Sequence, residues 1–421
     1  MLVCEERAMK VAIINFTWGD GSTGKITVNM YNRIKAAGHE VRVYFGVKPS
    51  SGEKKQDFYY FGNKLIFIID HVLSNLTGLS GALAFGPTKK LMKMLDKFQP
   101  DIFLLYNLHG GYVNEYKLLE YAKKKAMWTI YGMVDEYPFL GKCCYSFDCE
   151  KYKYERGCYN CPRLRESPRS LIFDNSHYHF KKKEKVYKGF NNISFTSAPY
   201  VVDKAKGSWL LKDKELFAND THIDVKNVYY PRDTKRIRKK LDISENKKVV
   251  IIAASINAPY KGVKYFLEAA RQCENDNIIF INVGYGGNEK ICPSNYIPLP
   301  YIRDQNELCE LFSLADAYVC TSIEDAQPNA CLNALGCGTP IIGFNISGVP
   351  YIAPRGIGSY ANPFDVGELC DLIRNQPRKT AEIIDICHNY ALSRYDISLP
   401  SKHAFYTIAD RVETMLRKSK E

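Results

Sequence analysis

The sequence predicts an α/β protein made of two doubly wound domains in series. Short β-like runs alternate with helical patterns, the alternation restarts near residue 247, and a segment carrying Pro231 and a charge cluster, residues 227–237, lies between the two series. In the first series "KVAIINF" is followed by a helix through "KITVNMYNRIKAAG", then by "EVRVYFG", "DIFLLYN" and "MWTIYG". In the second, "KKVVIIAAS" precedes a helix in "GVKYFLEAARQ", then "NIIFINVG", "AYVCTS" and "PIIGF", each strand ending in a polar or Gly-rich turn. The expected domains are residues 1–228, with a cysteine-rich insertion at 141–164, and residues 229–398. Residues 399–421 form a closing helix, because Phe405, Ile408, Ala409, Val412, Met415 and Leu416 make an amphipathic stripe that must dock.

Composition agrees with this division. A chain of 421 residues exceeds what one core organises, and 46% hydrophobic with 25% charged residues marks a globular protein. The net charge of +12 points to an anionic partner without choosing among phosphorylated substrates, a membrane surface and nucleic acid. No nucleic-acid recognition motif accompanies it. The 14 cysteines, many inside apolar runs, suit free thiols in a reducing compartment, so a cytoplasmic protein is expected. The start has Glu5, Glu6 and Arg7 before the first apolar run, unlike a signal peptide, and Met9 is a possible functional start. The most apolar window, Phe61 to Phe85, is broken by Lys64, Asp70, His71 and Asn75, which argues against a bilayer span.

The stretch "SIEDAQPNACLNALGCGTPIIGF", from Ser322 to Phe344, carries the most chemical information. Pro328 sits at the start of a helix running through Leu335, Asn329 follows it, and Glu324 and Asp325 lie in the preceding loop, after what reads as the penultimate strand. Free N–H groups at a helix start bind phosphate, whereas carboxylates accept from hydroxyls, so the combination suits a nucleotide sugar. Ordinary capping is the competing explanation. The loop "GDGSTG", Gly19 to Gly24, lets backbone N–H groups approach a phosphate or sugar, but lacks the spacing of a dinucleotide fingerprint or an ATPase P-loop. "YNLHGGYVN", residues 106–114, offers Asn107, His109 and Asn114 to sugar hydroxyls. Cys143, Cys149, Cys158 and Cys161 have a spacing compatible with a structural zinc site, or are packed thiols, with Cys144 a spare. The basic groups at 89–97 and 181–185 suit an anionic bilayer surface or a solvated helix face.

Together with "SFTSAPYVVDKAKGSWLL" and "YKGVKYFLEAA", these motifs make the chain resemble the retaining family-four glycosyltransferases of GT-B fold, especially the colanic acid and capsular polysaccharide branch. The resemblance implies two Rossmann-like domains facing across a cleft, the first binding a glycan or lipid-linked acceptor and the second a nucleoside-diphosphate sugar. It also implies that the closing helix returns to the first domain and that catalysis needs no cofactor. Lys261 matches the family lysine that neutralises the donor diphosphate, and Gly24 and Lys25 fall on donor-side positions, with Ser22 and Thr23 toward the acceptor. Asp325 and Asn333 occupy positions where the branch carries two glutamates; Glu324 stands beside the first. Ile256 replaces an arginine common among relatives, and the family His-Asp pair aligns with Tyr131-Gly132 or with Val134-Asp135, leaving Asp135 as the catalytic candidate and no histidine. These departures define the alternative, a non-catalytic glycan-binding or scaffold protein with a decayed donor site. An epimerase of the same architecture finds no support in the motifs.

Overall fold

The computed structural model describes residues 8–19, 21–50, 56–166, 168–399 and 404–418, without the side chains of residues 21, 22, 404 and 415–418. The chain divides into two compact units: residues up to Ser197 with Val201–Asn219 and the C-terminal segment from Ser401, and Ala198–Tyr200 with Asp220–Pro400.

The first unit is a sheet of β1 (Lys10–Asn15), β2 (Glu40–Phe45), β3 (Phe58–Tyr60), β4 (Ile102–Tyr106), β5 (Trp128–Gly132), β6 (Ile193–Ser197) and β7 (Glu215–Ala218) in the order β3-β2-β1-β4-β5-β6-β7. All pairings are parallel. Helices α1 (Gly21–Ala36), α2 (Lys64–Thr77), α3 (Phe85–Phe98), α4 (Glu115–Lys124), α5 (Ser176–Tyr187) and α6 (Pro199–Lys206) connect the strands. Strand β4 is buried at every residue, because a parallel strand covered on both faces needs a continuous apolar run.

The second unit orders β8 (Lys248–Ala253), β9 (Ile278–Val283), β10 (Tyr296–Leu299), β11 (Ala317–Cys320), β12 (Ile341–Phe344) and β13 (Gly358–Ala361) as β10-β9-β8-β11-β12-β13, again parallel. Its helices are α7 (Lys235–Lys240), α8 (Val263–Gln272), α9 (Gln305–Leu314), α10 (Asn329–Gly336), α11 (Val366–Asn375) and α12 (Ala381–Tyr395). The period of two is explicit: Val249, Ile251, Tyr318 and Cys320 enter the core on one face, while Val250, Ile252, Ala317 and Val319 enter the other. Two strands follow β11, not one as expected, since the half-polar "GSYA" of β13 gives little pattern to read.

Helix α13 (Ala404–Lys418) buries Phe405, Ile408, Ala409 and Val412 in the core of the first unit with Val11, Ile13 and Leu104. Met415 and Leu416, expected in the same stripe, have side chains outside the described set. The segment 227–237 is not a linker. Ile237 is buried in the second core, and the Arg232 amide donates to Ser313 Oγ at 3.0 Å. Residues 220–228 also join the second unit: Val225 is buried there, and Asp396 accepts from the amides of Val225 (3.0 Å) and Lys226 (3.1 Å). The boundary therefore falls at Asn219/Asp220 instead of 228/229.

Candidate functional site

In an open parallel sheet, adjacent strands whose connections leave in opposite directions open a crevice at their carboxyl ends. In the second unit those strands are β8 and β11. The loop after β8 closes in the 3₁₀ turn Pro259–Lys261 and then Gly262, at φ +65°. A Cβ on Gly262 would lie 1.9 Å from the Thr321 carbonyl oxygen, so only glycine lets the two loops meet. Two hydrogen bonds stitch them: the Ile323 amide donates to Tyr260 O at 2.8 Å, and Thr321 Oγ1 donates to Lys261 O at 3.2 Å. This brings the Lys261 ammonium onto the Asp325 carboxylate. Burial alone would lower the Lys261 pKa, but the charge and hydrogen bond of Asp325 carry it above the ordinary lysine value.

A small cavity lies at this junction, lined by Lys261, Thr321, Ser322, Pro328 and Asn329 among others. Pro328 caps α10 and Asn329 is its first residue, so the unpaired N–H groups of a helix start meet an ammonium and a carboxylate. The Asp325 carbonyl is fixed from behind by the Gly348 amide at 2.9 Å. Glu324 is buried and accepts from the Tyr200 hydroxyl at 2.9 Å. One turn into α10, Asn333 Oδ1 is buried with no hydrogen-bond partner in the structure. Such an acceptor costs stability unless a ligand donor satisfies it. Ile256, at the position where the resemblance implies an arginine, packs partly buried against the second unit's core.

The equivalent strands of the first unit are β1 and β4. Gly24 packs against the loop before it, where a Cβ would stand 2.9 Å from Gly19 N. The Thr23 carbonyl accepts from Asn15 Nδ2 at 3.1 Å, Lys25 is exposed on α1, and the side chain of Ser22 lies outside the described residues. Asn107 adopts φ +49° and buries an Oδ1 without a partner. Asn114 is spent on structure: its Oδ1 accepts from Lys117 N at 3.1 Å as the cap of α4, and its Nδ2 donates to Gly81 O at 3.2 Å. Asn114 therefore caps α4.

The sequence left Asp135 without a histidine partner. The structure supplies one from the preceding strand's loop, with His109 Nε2 and Asp135 Oδ2 2.8 Å apart. Cys144 Sγ stands 3.8 Å from the same Nε2. Burial opposes charge on the ring, but Cys144 and Asp135 raise the His109 pKa well above its ordinary value. Burial would likewise raise Asp135, and the His109 charge reverses this and lowers it. No local pattern links residues so far apart in sequence.

The four cysteines of the expected zinc site are electrostatic neighbours: Cys143 interacts with Cys158 and Cys161, and Cys158 with Cys149 and Cys161. Among the described residues, the group of metal-competent side chains with mutually close ligand atoms is His109, Asp135 and Cys144. Within the cysteine group Cys143 hydrogen-bonds Cys161, lowering the Cys161 pKa, while Cys158 Sγ accepts from the Gly141 amide at 3.2 Å and is pushed up to about 12 by burial. The two basic groups also part. Lys89, Lys90, Lys93 and Lys97 line one groove on α3, whereas Lys183 of the second group is buried and donates to the carbonyls of Tyr137, Leu140 and Gly141. Beside α3, helix α2 leaves Leu65, Ile68, Ile69, Val72, Leu73 and Leu76 exposed. Leu171, Ile172 and Phe173 are exposed next to it, tied by the Leu171 amide to Asn75 O at 2.9 Å and the Ile172 amide to Leu76 O at 3.0 Å. No helix among the described residues is long and apolar enough to cross a membrane.

The two parallel-sheet units define the GT-B fold class. Sucrose-phosphate synthase from Thermosynechococcus elongatus superposes with a TM-score of 0.62 at 12% identity, over 97% of this chain and 98% of that one. Anabaena HepE in complex with UDP and glucose gives 0.60 at 14% identity, over 97% and 99%. Within that class, residues 247–375 match the family described as glycosyl transferases group 1, a segment that contains Lys261, Asp325 and Asn333. The N-acetyl-alpha-D-glucosaminyl L-malate synthase of Bacillus anthracis is 24% identical over 152 residues, 34% of this chain and 38% of that protein.

Proposed function

We propose that the protein is a retaining glycosyltransferase that moves a sugar from a nucleoside-diphosphate donor onto a glycan or lipid-linked acceptor in surface or capsular polysaccharide synthesis. The observation that carries this reading is the Lys261–Asp325 pair at the start of α10, inside the segment that matches group 1 glycosyl transferases. The Lys261 ammonium and the N–H groups of the helix start take the diphosphate; Asp325 and Glu324 accept from donor-sugar hydroxyls, and Asn333 Oδ1 accepts from the ribose. As the sugar–phosphate bond breaks, charge builds on the leaving diphosphate. Lys261, already held charged by Asp325, stabilises that charge, and a diphosphate oxygen takes the acceptor proton on the same face of the sugar. A nucleotide-sugar donor is further supported by HepE, whose structure holds UDP and glucose. Asp135 with His109, and the unpaired Asn107 Oδ1, are the first unit's polar contacts for the acceptor hydroxyl.

In this reading the acceptor side works at the cytoplasmic membrane surface. The exposed apolar face of α2 and the lysines of α3 combine what a monotopic contact needs, an insertable face and cations for anionic headgroups. A second reading, a glycan-binding scaffold with a decayed donor site, is favoured by two observations: the unsatisfied Asn333 and the apolar Ile256. Nucleoside diphosphate release from UDP-, GDP-, ADP- and dTDP-sugars, with extracted lipid-linked glycans as acceptors, separates the two. Release with one nucleotide, lost in Lys261→Ala, supports the transferase; glycan binding indifferent to every nucleotide supports the scaffold.

A further inference from the structure

The His109, Asp135 and Cys144 side chains come from three separate segments: the loop after β4, the loop after β5 and the start of the cysteine-rich insertion. Their ligand-capable atoms all lie within 4.8 Å of one another. Asp135 and Cys144 are 8% and 9% exposed, and the His109 side chain 18%, so the cluster is enclosed but reachable. The geometry is not that of a proton relay. In a relay the carboxylate and the thiol address opposite ring nitrogens, whereas here Asp135 Oδ2 at 2.8 Å and Cys144 Sγ at 3.8 Å both face His109 Nε2. Three different donor atoms within 4.8 Å of one another are close enough for one ion to bridge.

We propose that His109 Nε2, a carboxylate oxygen of Asp135 and Cys144 Sγ bind a divalent transition-metal ion of the zinc class, with a fourth position left for an exogenous ligand. The N, O and S donor set suits a borderline-soft ion, and three protein ligands with one open position is the pattern of a reactive rather than a purely structural site. Bond lengths of about 2.0 to 2.3 Å place tetrahedral ligands roughly 3.5 Å apart, near the Cys144–His109 separation. The closer His109–Asp135 approach opens when the ion replaces the proton between them, and that proton leaves with the thiol proton of Cys144. The outer contacts are already built. Asp135 Oδ1 accepts from the Tyr137 amide at 2.9 Å, the Tyr137 ring lies 4.9 Å from the imidazole, and the Cys144 carbonyl accepts from the Glu136 amide at 2.8 Å. The site rests on this cluster and not on the donor side of the transferase reading, and a bound ion would take up the two side chains which that reading offers to the acceptor hydroxyl.

The test is cobalt titration of the full chain after chelator treatment, read by visible d–d absorption, by thiolate-to-cobalt charge transfer in the near ultraviolet, and by displacement with zinc. The expected result is one ion per chain with charge transfer from a single thiolate. Cys144→Ser should abolish the charge-transfer band, His109→Gln and Asp135→Asn should each weaken binding by roughly tenfold or more, and Cys161→Ser should change nothing. Circular dichroism checks that each variant is folded; if Cys144→Ser is not, the charge-transfer intensity of the wild type, one thiolate against several, decides. The proposal is overturned by the absence of saturable binding, by binding that survives in folded Cys144→Ser, or by loss in Cys161→Ser, which would move the ion to the neighbouring thiols.

Discussion

The crevice positions of the two units share one topology and carry different chemistry. In the second unit, between β8 and β11, the loops converge on an ammonium, a carboxylate, a helix start and an unsatisfied amide oxygen. In the first, between β1 and β4, much of the polar inventory is used internally: Asn15 Nδ2 donates to Thr27 Oγ1 at 2.6 Å, Asn114 caps α4, and Phe16 packs edge-on against Tyr112. Asn107 and the His109–Asp135–Cys144 cluster are among the groups left there. The fold decides where a ligand can enter, and the side chains decide which.

The comparison can be broken most severely at Gly262. A valine there meets the Thr321 carbonyl in a left-handed conformation, so Gly262→Val should destabilise the chain by about 2 to 4 kcal/mol in urea unfolding. Lys261→Ala removes a charged donor that lines the crevice and should weaken donor binding about 10- to 100-fold by calorimetry, through loss of a charge-assisted contact of about 1.5 to 3 kcal/mol. Ile68→Asp with Val72→Asp puts charge on the exposed face of α2 and should abolish sedimentation with anionic vesicles while leaving the melting temperature nearly unchanged. Asn333→Glu sharpens the contrast between the units by restoring a carboxylate, and should tighten donor binding by about tenfold in the same calorimetric assay.

A pH dependence at His179 probes the first unit. His179 accepts from the Tyr116 hydroxyl at Nδ1 and donates from Nε2 to Gly78 O at 2.7 Å, which only the neutral ring can do. Burial is the main cause that lowers its pKa to about 4 from 6.5. Between these values the unfolded chain binds more protons than the folded one, so stability is complete above pH 6.5 and is lost as pH falls toward 4. The slope reaches about 1.4 kcal/mol per pH unit. Melting of His179→Gln across this range should be flatter than wild type by that amount.

Much of this fold was legible because the central strands are nearly unbroken apolar runs and the helices between them keep their period. Strands β3, β6, β7, β10 and β13 were not, since "FYY", "ISFTS", "ELFA", "YIPL" and "GSYA" are short and lack a long apolar run, and are strands because a neighbour pairs with them. The donor-side residues were legible through one contiguous stretch, with Lys261 sixty-odd positions away brought beside Asp325 by the junction of β8 and β11. The His109–Asp135 pair, the burial of Lys183 and the docking of residues 227–237 were invisible, because each depends on tertiary neighbours that no local pattern encodes. Asn114 shows a signal with two readings: an asparagine before a helix also reads as its cap, and here it caps α4.

The most direct test of the central claim is a thermal-shift panel of UDP-, GDP-, ADP- and dTDP-sugars on wild type and Lys261→Ala, since a ligand that binds only the folded state raises the melting temperature. The account predicts a rise with one nucleotide class in wild type that disappears in Lys261→Ala. A rise of equal size in both proteins, or none with any donor, would contradict it.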